Sequence, residues 1–164
     1  FSESWNRARM REAGFDYDFV QDNHSLSREV GTIRGLHFQS PPCAQTKLVR
    51  CGRGALFDVA VDVRRGSPTY GQWVGHELTG ENGRQLLVPA GFLHGFITRE
   101  PDTEIIYKCT DYYAPKYDGA VRYNDIEIGI DWGLSDQEPI ISEKDAEALL
   151  LRDFKSPFVF EGNA

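Results

Sequence analysis

The sequence is poor in the features that would place it in several large protein classes. It has three cysteines, Cys43, Cys51 and Cys109, an odd number with no C-x-x-C pair. A disulfide framework and a zinc ribbon are therefore not expected, and reduced thiols in a cytoplasmic protein are. No apolar run approaches the roughly 20 residues of a membrane-spanning helix, and no secretory leader pattern opens the chain. Positive charge is also scarce. Eighteen Lys and Arg against 25 Asp and Glu give a net charge of −7, which argues against nucleic acid or an anionic membrane as the main partner. An anionic small molecule can still bind through local basic residues. Repeats, low-complexity tracts and linkers are absent too. Residues 1–164, long enough to bury a core, read as one globular domain.

What is present is a succession of short segments rich in Val, Ile, Phe and Tyr from about residue 15 to 141, punctuated by Gly, Pro, Asn and Asp. Period-two alternation is clearest over 55–63, where Leu56, Asp58, Ala60 and Asp62 alternate with Phe57, Val59, Val61 and Val63. That spacing predicts strands with distinct faces. Turn signals recur at 52–54, 66–68, 81–83 and 89–91, and Asn82-Gly83 predicts a hairpin turn. The fold class expected is all-β, a sandwich or barrel. Two short helices are expected, over 2–13 with Ser2 or Ser4 as cap and over 142–151 with Ser142 as cap.

The strongest local signal runs from Gly83 to His94, with Pro89 and Gly91 between. Its G-x5-P-x-G-x2-H spacing resembles the second motif of the cupin jelly rolls, in which a strand ends at a turn and the next strand points a His inward. The first cupin motif, G-x5-H-x-H followed by a Glu, is only half matched. Gly31 and His37 fit, Gln39 stands where the second His belongs, and no Glu occurs between Gln39 and Glu77. Two imidazoles make a poor catalytic metal site, which usually has three protein ligands. A metal-free barrel without a cofactor is the expectation. A His freed from metal binding is available as a base near neutral pH, provided one group orients it and another stabilises developing negative charge.

Several strings together resemble the dTDP-4-dehydrorhamnose 3,5-epimerase family. They are Arg34-Gly-Leu-His37-Phe-Gln39, Gln21-Asp-Asn23-His24-Ser25, Lys47-Leu-Val-Arg50, Pro89-Ala-Gly-Phe-Leu-His94, Tyr107-Lys, Asp111-Tyr-Tyr113 and Glu143-Lys-Asp145. The resemblance implies a cupin-type antiparallel jelly roll with short flanking helices, acting on a dTDP-sugar. It implies His37 as general base, Asp145 as its partner carboxylate, Lys47 as stabiliser of the enolate oxygen and Tyr107 as the acid on the opposite ring face. It also implies substrate contacts from Arg34, Gln21, Asn23, Arg50, His94 and Tyr113. A homodimer is expected by the same route, as is a further strand ahead of Phe1 reaching across the subunit boundary. Asp125 and Asp131 are rivals to Asp145, and His24 reads as a polar turn residue. Two alternatives stay open: a single-carbon epimerase or ketoisomerase of another deoxysugar, and a non-enzymatic nucleotide-sugar-binding cupin.

Overall fold

The computed structural model describes residues 1–135 and 137–162, so positions 136, 163 and 164 of the expected domain lie outside the described residues. A first helix α1 (Arg7–Glu12) precedes eight strands: β1 (Gln21–Ser27), β2 (Ile33–Gln39), β3 (Lys47–Arg53), β4 (Ala55–Asp62), β5 (Trp73–Thr79), β6 (Gln85–Val88), β7 (Phe92–Thr98) and β8 (Thr103–Cys109). A short β9 (Asp118–Ala120) and helix α2 (Glu143–Ala146) follow. The strands form two antiparallel sheets, ordered β1-β8-β3-β6 and β5-β4-β7-β2-β9. This is the two-sheet jelly roll that the motifs imply.

Alternation along β4 explains the layering. Leu56 and Ala60 face the other sheet and pack with Val49, Cys51, Leu78, Val88, Phe96 and Ile105. Val59 and Val61 face outward, under a second apolar cluster to which the C-terminal segment contributes Val121, Ile128, Trp132, Leu151 and Phe158. The five-stranded sheet is thus covered on both faces, as its near-continuous apolar strands require.

Strands β2 and β7 pair side by side with no room for a side chain between them at Gly35. A Cβ at Gly35 would lie 2.6 Å from the Cα of Gly95 and 2.8 Å from the carbonyl oxygen of His94. Glycine at both positions is what allows the strands carrying His37 and His94 to lie side by side, with those two residues in register.

Three local expectations are corrected. The first helix spans Arg7–Glu12 and is capped by Asn6, whose side chain accepts from the Arg9 amide at 3.2 Å. Ser4 lies outside it, and its carbonyl accepts from Gln85 Nε2 at 2.8 Å. The second helix keeps its Ser142 cap but ends at Ala146, because Leu149 pairs in a bridge with Val121. Asn82-Gly83 does make a tight turn, with Asn82 Oδ1 accepting from the Thr79 and Arg84 amides. It is not a hairpin, however. The flanking strands β5 and β6 belong to different sheets, since the dipeptide specifies the local turn and not the strands' partners.

Candidate active site

Facing strands carry polar side chains into the space between the sheets. From the five-stranded sheet come His37 on β2, His94 on β7 and Asp58 on β4. From the four-stranded sheet come Lys47 on β3, Tyr107 and Cys109 on β8, and Gln21 and Asn23 on β1. A cavity of about 320 Å³ is lined by Gln21, Asn23, His37, Lys47, Tyr107 and Tyr113, among others. An adjoining space of about 200 Å³ shares His37, Lys47 and Tyr107 and adds Arg34, His94 and Ser25.

His37 Nε2 lies 2.5 Å from Asp145 Oδ1. A carboxylate only accepts, so Nε2 is the donor, and Nδ1 is the nitrogen left to face the cavity. Helix α2 holds the carboxylate in place. Ser142 caps it by accepting from the Asp145 amide at 3.2 Å, and the Gly35 amide donates to Asp145 Oδ2 at 3.5 Å. The Asp145 side chain is 1% exposed, whereas that of His37 is 29% exposed. The orienting group is thus sealed away while the ring reaches the cavity. Burial pushes the Asp145 carboxyl upward, but the His37 hydrogen bond and charge, with Ser142 and the Gly35 amide, outweigh it and leave the group below its ordinary value.

Across the cavity, burial pushes the Lys47 ammonium below its usual value, against the pull of Cys109, Asp118 and Asp58. Its Nζ lies 6.0 Å from the centre of the Tyr107 ring. Burial pushes the Tyr107 phenol up, with Cys109 and Asp118 adding to the effect. At neutral pH the phenol therefore carries its proton and can act as an acid. The arrangement sets the His37 imidazole of β2, with the Asp145 carboxylate that α2 docks against it, opposite the Lys47 ammonium and the protonated Tyr107 phenol of the other sheet. Packed sheets stand about 10 Å apart, room for a sugar ring between the two walls.

Sequence reading missed several members of this site. Asp58 is fully buried and meets His94 Nε2 at 2.7 Å, making a second His–carboxylate pair beside the first. The signal was present, because Asp58 shares a strand face with Leu56 and Ala60 and an Asp on such a face calls for a partner. Lys144 also lines the cavity, paired with Asp118 of β9. Gln39, read only as a lost metal ligand, is 4% exposed with its amide engaged by backbone groups. Among the described residues no group of three or more His, Cys, Asp or Glu is placed to share a metal ion.

Other sequence-predicted residues separate. Gln21 and Asn23 line the cavity and bond to each other at 3.0 Å, and Tyr113 lies at its edge. Arg50 does not join them. Val49 and Cys51 point inward, so alternation turns Arg50 outward into a different groove with Ser4, His24, Gln85 and Lys108. His24 is in strand β1, not a turn, and pairs with Glu104 at 3.1 Å. Asp125 is accounted for by accepting the Glu127, Ile128 and Leu151 amides, and Asp131 by accepting that of Gly133.

Comparison with known proteins places this arrangement in context. The family model described as dTDP-4-dehydrorhamnose 3,5-epimerase matches residues 1–153. The dTDP-4-dehydrorhamnose 3,5-epimerase of Sinorhizobium fredii is 56% identical over 146 residues, spanning 89% of this chain and 72% of that one. A crystal structure of the Legionella pneumophila dTDP-6-deoxy-D-glucose-3,5-epimerase in complex with dTDP-4-keto-L-rhamnose superposes with a TM-score of 0.92. It is 46% identical and covers 100% of this chain and 86% of that one. The Bacillus anthracis dTDP-4-dehydrorhamnose 3,5-epimerase, solved with TDP and PPi bound, gives a TM-score of 0.89 at 50% identity, covering 92% and 85%.

Proposed function

The chain belongs to the dTDP-4-dehydrorhamnose 3,5-epimerase family, and from that membership we propose that it converts dTDP-4-dehydro-6-deoxy-D-glucose to dTDP-4-dehydro-L-rhamnose. His37 Nδ1 removes the proton from a carbon next to the ketone. The C–H electrons move into a carbon–carbon double bond, and the carbonyl π electrons move onto oxygen. The Lys47 ammonium stabilises that enolate oxygen. The double-bond electrons then take a proton from Tyr107 on the opposite face as the carbonyl re-forms, which inverts the centre; the His37 imidazolium releases its proton to solvent, and solvent reprotonates the phenolate. Asp145, held as a carboxylate, stabilises the imidazolium that forms. His94, paired with Asp58, lines the same space beside the sugar, with Arg34 at its edge.

The observation that carries this reading is His37 on one sheet, paired with Asp145 of α2, facing Lys47 and Tyr107 on the other sheet. Base and acid on opposite walls are what inversion requires. The ligands of the Legionella and Bacillus proteins support a dTDP-sugar as substrate. The same reading takes residues 1–164 as one domain working without a metal, as a cytoplasmic homodimer. The three free thiols suit a reducing compartment, and the edge strands β1 and β6 leave main-chain groups for a second copy to meet.

Proton NMR of dTDP-4-dehydro-6-deoxy-D-glucose in heavy water with the protein tests it. Loss of signal at carbons 3 and 5, with a rhamnose product trapped by a reductase, is expected. Exchange at one carbon would reassign the chain to single-centre epimerisation, and no exchange would leave a binding role. Tyr107→Phe should retain exchange while product formation drops, and undiminished product would move the acid to another group.

A further inference from the structure

The strands that carry His37 and His94 are both reached by residues 154–160. Phe38 follows His37 on β2 and lines the cavity. Its ring meets those of Phe154 and Phe158 edge-on, with centres 5.2 and 5.9 Å away. Residues 156–160 are laced by main-chain bonds onto the segment that leaves β4. The Arg65 amide donates to the Phe158 carbonyl at 3.0 Å, and the Phe160 amide donates to the Arg65 carbonyl at 2.9 Å. The buried Ser156 hydroxyl donates to the Val63 carbonyl. This lacing delivers the Phe160 ring to Arg64.

The Arg64 guanidinium lies between two rings, 4.7 Å from the centre of Phe92 and 4.9 Å from that of Phe160. Its Nε and Nη2 donate to the two oxygens of the buried Asp62 carboxylate at 2.9 and 2.7 Å, so the planar fork is fixed. Phe92 sits opposite Asp62 in the β4–β7 register and two residues before His94, on the same face of β7. Gly91 makes room for the stack, since a Cβ there would stand 2.7 Å from Arg64 Cγ. Each cavity histidine thus has a phenylalanine beside it on its own strand, and residues 154–160 bear on both: directly on Phe38, and through Arg64 on Phe92.

We infer that residues 154–160 brace the two histidine strands, and that Phe154, Phe158, Phe160 and Arg64 are positioning residues for the His37 and His94 imidazoles. None of the four lines the cavity. A close-packed interior transmits a displacement of one ring to the next. The His37–Asp145 and His94–Asp58 pairs, at 2.5 and 2.7 Å, leave little slack for a strand to shift. A reacting group misplaced by about 1 Å costs about 100-fold in rate, so a distant brace acts on turnover while leaving the nucleotide contacts alone. The kinetic part rests on the epimerase reading above; the placement of the imidazoles does not.

Phe154→Leu and Phe160→Ala test the brace, with Phe160→Trp as the conservative change; Phe160 is half-buried and is the safer site to alter. The first readout is the imidazole nitrogen shifts of the substrate-free protein carrying 15N-labelled histidine. Phe154→Leu should move the His37 signals and Phe160→Ala those of His94, while the exposed His24 and His76 stay in place as internal controls. The second readout is kinetic. In both variants kcat should fall about tenfold, with KM and calorimetric affinity for dTDP within about twofold of wild type. Phe160→Trp should restore kcat to within about twofold, because a ring again covers Arg64. Unmoved His37 and His94 signals in folded variants would overturn the inference. So would wild-type kcat in Phe160→Ala with only a lower melting temperature, since the segment would then stabilise the fold and nothing more. Failure of the wild-type protein to exchange protons of the sugar would instead overturn the epimerase reading, and the nitrogen shifts would still decide the brace.

Discussion

Replacing Asp145 by Asn isolates the charge on which the proposed base role of His37 depends. The change is isosteric and keeps the Ser142 cap, since that bond comes from the Asp145 backbone. It removes a buried negative charge 2.5 Å from the imidazole nitrogen. Opposite charges centred about 4 Å apart attract by about 4 kcal/mol at an effective dielectric of about 20. With the proton about half transferred in the transition state, about half of that is lost, roughly a thirty-fold slowing. The amide also introduces a donor that can face Nε2 and hold the ring in the wrong tautomer. In serine proteases the equivalent Asp-to-Asn change costs about 10⁴, so the expected slowing lies between about thirty-fold and about 10⁴-fold. The assay is deuterium incorporation into the 4-keto sugar under saturating substrate, followed by NMR, with a melting curve to establish that the variant is folded. Exchange within about threefold of wild type in a folded variant would refute the reasoning, because the carboxylate would then contribute nothing to imidazolium stability.

Lys47→Met should abolish turnover yet raise the melting temperature. Burial depresses the Lys47 value, so folding disfavours its charged form at neutral pH; a lower melting temperature would contradict it. Gly35→Ala should prevent stable folding, since its Cβ would meet strand backbone at 2.6 Å with φ at 127°; a penalty under about 1 kcal/mol in urea would show that the strands part easily. Asp62→Asn tests acid stability. Burial works against the Asp62 charge, but bonds from Arg64, Ser67 and Thr69 hold the carboxyl far below its ordinary 3.8. A depressed value contributes stability above pH 3.8 that is lost as pH falls through the folded value. The variant should therefore be less stable by about 1–3 kcal/mol at pH 7 and the gap should narrow below about pH 4; a gap constant down to pH 2 would refute it.

The sequence by itself determined what depends on neighbours along the chain. Period-two alternation over 55–63 marked a strand with distinct faces, Pro89-Ala-Gly91 marked the turn that delivers His94 inward, and Ser142 marked the start of α2. The ordered strings around His37, Lys47, Tyr107 and Asp145 named a family and a chemistry before any contact was known. Tertiary structure alone decided which distant residues meet. His37 and Asp145 are 108 positions apart and become a pair only because α2 docks against β2. Asp58 becomes the partner of His94 through strand register, and Asn82-Gly83 becomes a corner between sheets because pairing is chosen elsewhere in the chain. Arg50 leaves the cavity by the inward or outward phase of β3, which no local string fixes. The amides of Gln21, Gln39 and Gln45 meet the backbone of residues 111–114 only when the sheets close. Alternation and turns are short-range backbone preferences that a string of letters records. Hydrogen-bond partners and the burial that shifts a titrating group arise only when segments far apart in the chain are packed together.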